Sequence, residues 1–151
     1  MTKINFTKMQ GLGNDFILIE KSEFDKVSEK FPEAAIKLCD RNFGIGADGI
    51  FVPVESEKAD LGWLFYQSDG STAQMCGNGM RCFAKFVYDK KIVSKKEFSV
   101  ETLAGIIVPE VLDDGKVKVN MSKPVLTPEK IPFKGECSLN CKLEACGKDF
   151  I

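Results

Sequence analysis

Residues 78–89 constrain the fold more than any other part of the sequence, because they predict a helix with apolar side chains on nearly every side. Three polar residues, Arg81, Lys85 and Asp89, recur four positions apart and form one narrow stripe along this helix. The rest of the circumference carries Met80, Cys82, Phe83, Ala84, Phe86 and Val87. Such a helix is buried on most sides, so we expect it at the centre of a domain, from about residue 78 to residue 90.

Strand-like segments precede and follow this helix and predict an α+β fold. They are residues 3–8, 16–20, 50–54, 63–66, 98–102, 105–112 and 116–120. The first two flank a turn-prone segment, residues 11–15, and the last two flank the turn at residues 113–115. We expect a curved, mostly antiparallel sheet wrapped around the central helix. A shorter helix is predicted from about Pro32 to Asp40, and Pro53 predicts a sheet edge or a bulge.

Two regions follow from this pattern. Residues 1–121 are predicted to form one domain, which has a typical length for a domain. Beyond it, Pro124, Pro128 and Pro132 predict an extended segment, and residues 143–148 predict the start of a hairpin. We therefore interpret residues 122–151 as an extended connection and the start of a second, truncated domain.

The composition narrows the possible chemistry and partners. The chain has no histidine, so proton transfer would fall to Cys, Asp, Glu, Lys or Tyr, and the commonest transition-metal ligand is missing. A formal net charge of −1 does not favour nucleic-acid binding. We see no apolar stretch near the length of about 20 residues that spans a bilayer and no signal-peptide pattern. We therefore expect a cytoplasmic protein without a membrane partner, whose six cysteines are mostly thiols.

Cys76-Gly77-Asn78-Gly79 lies where the central helix begins. The first backbone N–H groups of a helix lack partners within the helix, and they carry the positive end of its dipole. A thiolate at Cys76 would be stabilised there, and a substrate carboxylate could bind the same N–H groups. From the residues alone, the favoured interpretation is a turn into a helix, with Cys76 as a small apolar core residue.

Three segments, in order, resemble the N-terminal half of diaminopimelate epimerase. They are residues 9–16, residues 44–49, and residues 68–71 together with residues 75–82. The resemblance spans about residues 4–121, and Cys-Gly-Asn-Gly after Asp-Gly-Ser is its most diagnostic part.

The resemblance implies two pseudo-symmetric halves, each with a central helix inside a barrel-like sheet, and an active site between them. It implies interconversion of LL- and meso-diaminopimelate, in lysine and peptidoglycan precursor synthesis, without pyridoxal phosphate or metal. One cysteine from each half acts on opposite faces of the α-carbon. Cys76 matches the first of these cysteines, Asn14 matches a substrate contact, and Gly77 with Asn78 matches the backbone donors to the substrate. Family members of full length are expected to be homodimers.

The sequence departs from the family pattern at three points. Gln67 stands where the family usually has Asn, so as a substrate contact it would be one methylene longer. Gly49 stands where many relatives have Gln, and any contact from that side chain is missing. The family is about twice as long, and its second cysteine, a histidine and a Glu-Arg pair match nothing up to residue 151. We therefore expect this chain to supply one half of the site, with the C-terminal half of the same protein as its partner, and to be inactive alone.

Other interpretations stay open. Cys76 could belong to a thiol redox protein, with Cys82 or Cys39 as the resolving thiol, although both are also readable as core residues. The chain could be a non-catalytic remnant that binds a carboxylate, or a relative that acts on another amino acid, such as a proline or hydroxyproline racemase. Cys137, Cys141 and Cys146 are too few and too unevenly spaced to predict a zinc site.

Overall fold

Six strands form one mixed sheet in the computed structural model, which describes residues 3–27, 30–136 and 138–150. In chain order they are β1 Thr7–Gly11, β2 Asn14–Leu18, β3 Gly49–Val54, β4 Leu61–Gln67, β5 Val100–Thr102 and β6 Gly105–Ile107, and they lie side by side in that order. The pairs β1/β2, β3/β4 and β5/β6 are antiparallel, whereas β2/β3 and β4/β5 are parallel. The fold is therefore α+β with a largely antiparallel sheet.

Three α-helices and one further strand pair complete the first of two compact units, Met1–Met121. The helices are α1 Lys21–Phe24, α2 Phe31–Cys39 and α3 Gly77–Asp89, and the antiparallel pair is β7 Pro109–Val111 with β8 Val117–Val119. The second unit, Ser122–Ile151, contains a 3₁₀ turn, Pro128–Lys130, and an antiparallel hairpin, β9 Leu143–Ala145 with β10 Lys148–Phe150. This hairpin corresponds to the one predicted from about residue 143.

Helix α3 packs against β1, β2 and β3 on one face of the sheet and against β7 and β8. Its apolar positions are buried, and Arg81, Lys85 and Asp89 are more accessible, as the periodicity predicts. Helices α1 and α2 pack against β3 and β4 on the other side. Because β2 and β3 contribute side chains to both clusters, their sequences are apolar at successive positions instead of alternating.

The first hairpin differs from its predicted bounds. The strands extend to Gly11 and Asn14, and only Leu12 and Gly13 form the turn, with φ values of 57° and 82°. Positive φ is unusual for leucine, so the sequence predicted a longer connection than the structure has. As a result Asn14 belongs to a strand and is held in a fixed register opposite Gly11.

The predicted strand over residues 105–112 is divided in two. Residues 105–107 pair with β5, whereas residues 109–111 pair with β8, so Val108 marks a change of partner. Around Pro53, β3 lies between β2 and β4 in the strand order. The pairing of β2 with β3 ends at Phe51, so on that side Pro53 lies at a local edge where no backbone N–H is required.

Candidate active site

Cys76 is the N-cap residue of α3, with an extended backbone at φ −137° and ψ 109°. Its Sγ accepts a hydrogen bond from the backbone N–H of Gly79 at 3.2 Å, and its carbonyl accepts one from Met80 at 2.7 Å. The sulfur is thus held at the positive end of the helix, where one of the first N–H groups already points at it. Such an environment stabilises negative charge on the sulfur.

Two further N–H groups lie in the same first turn. Among the described residues, none accepts a hydrogen bond from the backbone N–H of Gly77 or Asn78. The neighbouring Gly79 is required by packing, because a Cβ at this position would lie 2.3 Å from Cζ of the Phe51 ring. A Cβ at Gly77 would meet only the flexible end of Met121 at 3.7 Å. The first turn of α3 therefore combines a tightly packed inner side with donors that a ligand anion could use.

Asn14, at the start of β2, lies beside the thiol. Its Oδ1 is 3.7 Å from Sγ of Cys76, within reach of an S–H donor, and 3.4 Å from Nδ2 of Asn78. Its own Nδ2 donates to Oδ2 of Asp48 at 2.7 Å. The side-chain Oδ1 of Asn78 accepts from Nη2 of Arg81 at 2.6 Å. Three of the residues singled out from the sequence are thus in direct contact.

Asp48 connects Asn14 to a cluster of charges. Its Oδ1 accepts from Nη2 of Arg41 at 2.8 Å, and Arg41 also makes a two-point contact with Asp15. Lys8 forms a second ion pair with Asp15, at 3.1 Å. The Arg41 guanidinium holds the pKa of the Asp15 carboxyl well below its usual range, with a smaller contribution from Lys8, and Asp15 in turn raises the pKa of Arg41. The Asp15 carboxylate therefore stays ionised at neutral pH.

A small cavity of about 170 Å³ opens at the thiol. Polar and apolar side chains both line it, namely Asn14, Phe16, Asp48, Phe65, Gln67, Ala73, Met75 and Cys76. The sheet brings this lining together, because the register aligns Phe16 with Gly49 and Gly49 with Gln67. A larger open depression of about 660 Å³ lies at the opposite end of β3 and β4, beside Pro53 and Leu61, far along the strands from the thiol.

The sequence model of one protein family, diaminopimelate epimerase, matches residues 6–127. The chain belongs to this family. The diaminopimelate epimerase of Desulforapulum autotrophicum is 50% identical over 138 residues, which cover 87% of this chain and 49% of that protein. The diaminopimelate epimerase of Caldanaerobacter subterraneus subsp. tengcongensis is 54% identical over 137 residues, with coverage of 88% and 48%. The chain thus spans about half the length of the curated relatives it matches.

Two solved structures share the fold at low sequence identity. A methylitaconate-delta-isomerase superposes with a TM-score of 0.57 at 17% identity, covering 86% of this chain and 67% of that chain. A phenazine biosynthesis protein of the PhzF family from Bacillus anthracis superposes with a TM-score of 0.53 at 18% identity, covering 77% and 38%. The architecture of the diaminopimelate epimerase family member described here is therefore shared by proteins with very different sequences.

Gly49 and Gln67, the two positions at which this chain departs from the expected family pattern, are paired across β3 and β4, and Gln67 lines the cavity. Gln67 is exposed at its rim, and its Nε2 donates to Oγ of Ser71 at 2.9 Å, so the amide is oriented by the turn that follows β4. At Gly49, a Cβ would lie 2.8 Å from Cε2 of Phe65 and 2.8 Å from the Tyr66 carbonyl oxygen. The Phe65 ring therefore occupies the space that a side chain at position 49 would need.

The other cysteines differ from Cys76 in their surroundings. Burial raises the pKa of the Cys39 thiol to about 11, and burial also raises the pKa of Cys82. Both pack in the core, as the sequence suggested. Within residues 3–27, 30–136 and 138–150, no group of three potential metal ligands comes together. Cys137 lies outside the described residues. No helix in the described part of the chain is long and apolar enough to cross a membrane.

Sequence reasoning missed Asp48 and Arg41. Asp48 belongs to the glycine-rich segment that carries the family resemblance, but nothing in the local pattern gave it a role. Arg41 lies two residues beyond the end of α2, and its sequence context indicates no role. An acid that ends a glycine-rich connection just before a buried strand is the one signal that could have indicated Asp48.

Proposed function

We propose that this chain forms one half of a cofactor-independent amino-acid epimerase that interconverts LL- and meso-diaminopimelate, in the synthesis of lysine and peptidoglycan precursors. The observation that carries the proposal is the Cys76 sulfur, held 3.2 Å from the Gly79 N–H at the start of a buried helix. Membership of the diaminopimelate epimerase family supports the choice of reaction and substrate.

In the proposed reaction, Cys76 exchanges a proton with the α-carbon from one face. A thiolate removes the α-proton, which becomes its S–H, and the electron pair remains on carbon, delocalised into the carboxylate. A thiol on the opposite face then delivers its proton to that carbon, so protons and electrons balance and the stereocentre is inverted. The two groups exchange roles in the reverse direction. Gly79 supports the charged form of Cys76, because its N–H already points at the sulfur.

The substrate carboxylate is proposed to bind the backbone N–H groups of Gly77 and Asn78. No described residue uses these donors, and helix N-termini favour anions. Hydrogen bonds to the carboxylate strengthen as the carbanion develops, so donors fixed by the helix lower the barrier to proton removal. Asn14 and Gln67 are proposed as further substrate contacts, since both line the cavity at the thiol.

The second acid/base group is proposed to come from the part of the family that this chain does not span. One cysteine cannot act on both faces of a carbon, so the 151-residue chain alone is expected to be inactive. We also propose that the sheet wraps around α3, that residues 122–151 begin the second half, and that the complete protein is a cytoplasmic homodimer. Contacts of α3 with the six-stranded sheet and with the β7/β8 pair support the wrapping.

A thiol redox function has less support. The two candidate resolving cysteines, Cys39 and Cys82, are buried, and their raised pKa values keep them protonated at neutral pH. A resolving thiol must ionise and reach its partner, which neither environment favours. A non-catalytic remnant that binds a carboxylate would have the same helix terminus. Only a measurement of proton exchange can distinguish this function from that of an epimerase.

The test uses the protein at full family length, incubated with LL-diaminopimelate in heavy water. We expect deuterium at the α-carbon and formation of the meso isomer, both abolished by Cys76→Ala. Cys82→Ala, in the same helix but in the core, is the matched control and should retain exchange. Exchange by Cys76→Ala at the wild-type rate would overturn the proposal. Binding of diaminopimelate without exchange by the wild type would identify a remnant, and rapid peroxide consumption that requires Cys76 would favour the redox function.

A further inference from the structure

Asp48 is fixed from several sides at the end of the sheet where Cys76 lies. Its backbone N–H donates to the Asp15 carbonyl at 2.9 Å, and its own carbonyl accepts from Ser68 at 3.1 Å. Its carboxylate accepts from Asn14 and from the Asp15 backbone N–H on Oδ2, and from Arg41 on Oδ1. Neither oxygen can turn away without losing a hydrogen bond.

This carboxylate determines which way the Asn14 amide faces. An ionised carboxylate only accepts hydrogen bonds, so the group that Asn14 presents to it must be the NH₂ donor. The amide is planar, and its oxygen must therefore point to the other side. On that side lie Sγ of Cys76, at 3.7 Å from Oδ1, and Nδ2 of Asn78, at 3.4 Å.

The orientation of Asn14 matters for the proton on the thiol. An amide oxygen accepts the S–H of the protonated cysteine, whereas an amide NH₂ in its place would donate to a thiolate. The Gly79 N–H, on the helix side, supports the thiolate. The sulfur thus has one neighbour suited to each protonation state, which is what a group that alternately takes and gives a proton requires.

We propose that Asp48 is a positioning residue for proton exchange at Cys76, acting through Asn14 by keeping the amide oxygen of Asn14 on the thiol. The inference rests on the proposed function in one respect, namely that Cys76 carries the exchanged proton. Asp48 itself does not reach the sulfur in this arrangement. Arg41 assists, because its bond to Oδ1 fixes the carboxylate and leaves Oδ2 for Asn14.

Asp48→Ala is the informative substitution, because it removes the acceptor that holds the Asn14 NH₂. The Asn14 amide then keeps only its longer contacts, to Nδ2 of Asn78 at 3.4 Å and to Sγ of Cys76 at 3.7 Å, so its NH₂ can turn toward the Cys76 thiolate. We expect alkylation of Cys76 by iodoacetamide, followed by site-resolved mass spectrometry on the 151-residue chain, to become about fivefold faster, the effect of about one hydrogen bond.

The controls separate positioning from loosening of the fold. Asp113→Ala removes the same charge at an exposed turn and should leave the alkylation rate of Cys76 unchanged. Cys39 and Cys82 should stay as slow as in the wild type, because general loosening would accelerate them too. In an Asn14→Ala background, Asp48→Ala should have no further effect. A folded Asp48→Ala chain with the wild-type rate, or an undiminished effect without Asn14, would contradict the inference.

A measurement on the wild-type chain covers the case in which Asp48→Ala does not fold. The Asn14 Nδ2 hydrogens and the Asp15 amide hydrogen donate to the same oxygen, so an NMR cross-peak between them is expected, and its absence would overturn the inference. At full length, Asp48→Ala and Asn14→Ala should lower kcat for α-proton exchange without additivity. If the wild type exchanges no proton, the proposed function fails while the alkylation and NMR results still decide the role of Asp48.

Discussion

The face of the sheet that packs against α3 is lined by aromatic rings, whereas the face toward α1 and α2 is lined mainly by aliphatic side chains. On the first face Phe51 lies at the centre, with ring centroids of Phe16, Phe65, Trp63 and Phe83 between 4.3 and 6.1 Å away. The second cluster contains Ile17, Ile19, Ala34, Ala35, Ile50 and Val52, and its aromatic rings, Phe24 stacked on Phe31, come from α1 and α2. Aliphatic side chains can repack around a change more easily than interlocked rings can.

The difference matters because only the aromatic face touches the first turn of α3. The Phe51 ring lies against Gly79, and Gly79 holds the Cys76 sulfur. A change on that face is therefore transmitted to the thiol, whereas the aliphatic face stabilises the domain without contact to it. The same sheet supports the site on one side and the general stability of the domain on the other.

The largest effects are expected from truncating neighbours on β3 that point to opposite faces. Phe51→Ala should lower the free energy of unfolding by about 4 kcal/mol and Ile50→Ala by about 3 kcal/mol, measured by urea denaturation. Only Phe51→Ala should also change the alkylation rate of Cys76 under native conditions. If the alkylation rate of Cys76 changed equally in both variants, both faces of the sheet would influence the thiol.

A methyl group at the helix start tests the aromatic face more finely. Gly79→Ala places a Cβ 2.3 Å from the Phe51 ring and should cost about 3 kcal/mol, because the ring has no space to move into. Gly77→Ala, two residues earlier, meets only Met121 at 3.7 Å and should change stability by less than about 0.5 kcal/mol. Thermal unfolding of the two variants gives the comparison, and similar midpoints would argue against close packing at Gly79.

The aliphatic face contains Cys39, and this thiol should make the free energy of unfolding depend on pH in alkaline solution. Burial raises the pKa of this thiol from 9.0 to about 11, so the folded state keeps a proton that the unfolded state loses. Its contribution to stability is therefore intact below about pH 9 and falls by about 2 kcal/mol as the pH rises to 11. Urea denaturation across this range should show a shallower decline in Cys39→Ala than in the wild type. If stability declined equally with pH in both proteins, Cys39 would make no contribution of this kind.

The smallest effect is expected on the solvent side of α3. Lys85 pairs with Asp89 one turn away, and both are accessible to solvent. Lys85→Ala should lower the free energy of unfolding by about 0.4 kcal/mol, the usual size for such a pair, and high salt should remove most of the difference. A loss above about 1.5 kcal/mol would mean that this stripe is packed like the rest of the helix.

The sequence predicts those elements whose cause is local. Helix α3 follows from the period of its apolar residues, and the hairpin β9–β10 follows from turn residues beside Gly147. The sequence does not predict that residues 105–112 change partner at Val108, because the two halves pair with strands that nothing local identifies. Pairing over long distances in the chain decides such boundaries.

The candidate site shows the same limit. Cys76 at a helix start could be inferred from its glycines and the helical pattern, and the family resemblance added Asn14. Asp48 lies 34 residues from Asn14 in the chain, and only the parallel pairing of β2 with β3 brings them within 2.7 Å. The reason for glycine at position 79 is likewise invisible in the sequence, because the Phe51 ring that occupies the space comes from another strand.

The Cys76 sulfur also caps the first turn of α3. Because the Cys76 sulfur accepts the Gly79 N–H, a reagent that alkylates it also takes away the acceptor that closes the first turn. Covalent inhibition should therefore be accompanied by local fraying, visible as faster hydrogen exchange at the amides of Gly79 and Met80. An electrophile that reacts with Cys76 would therefore block the proposed acid/base group and also disorder the N–H groups proposed to bind the substrate.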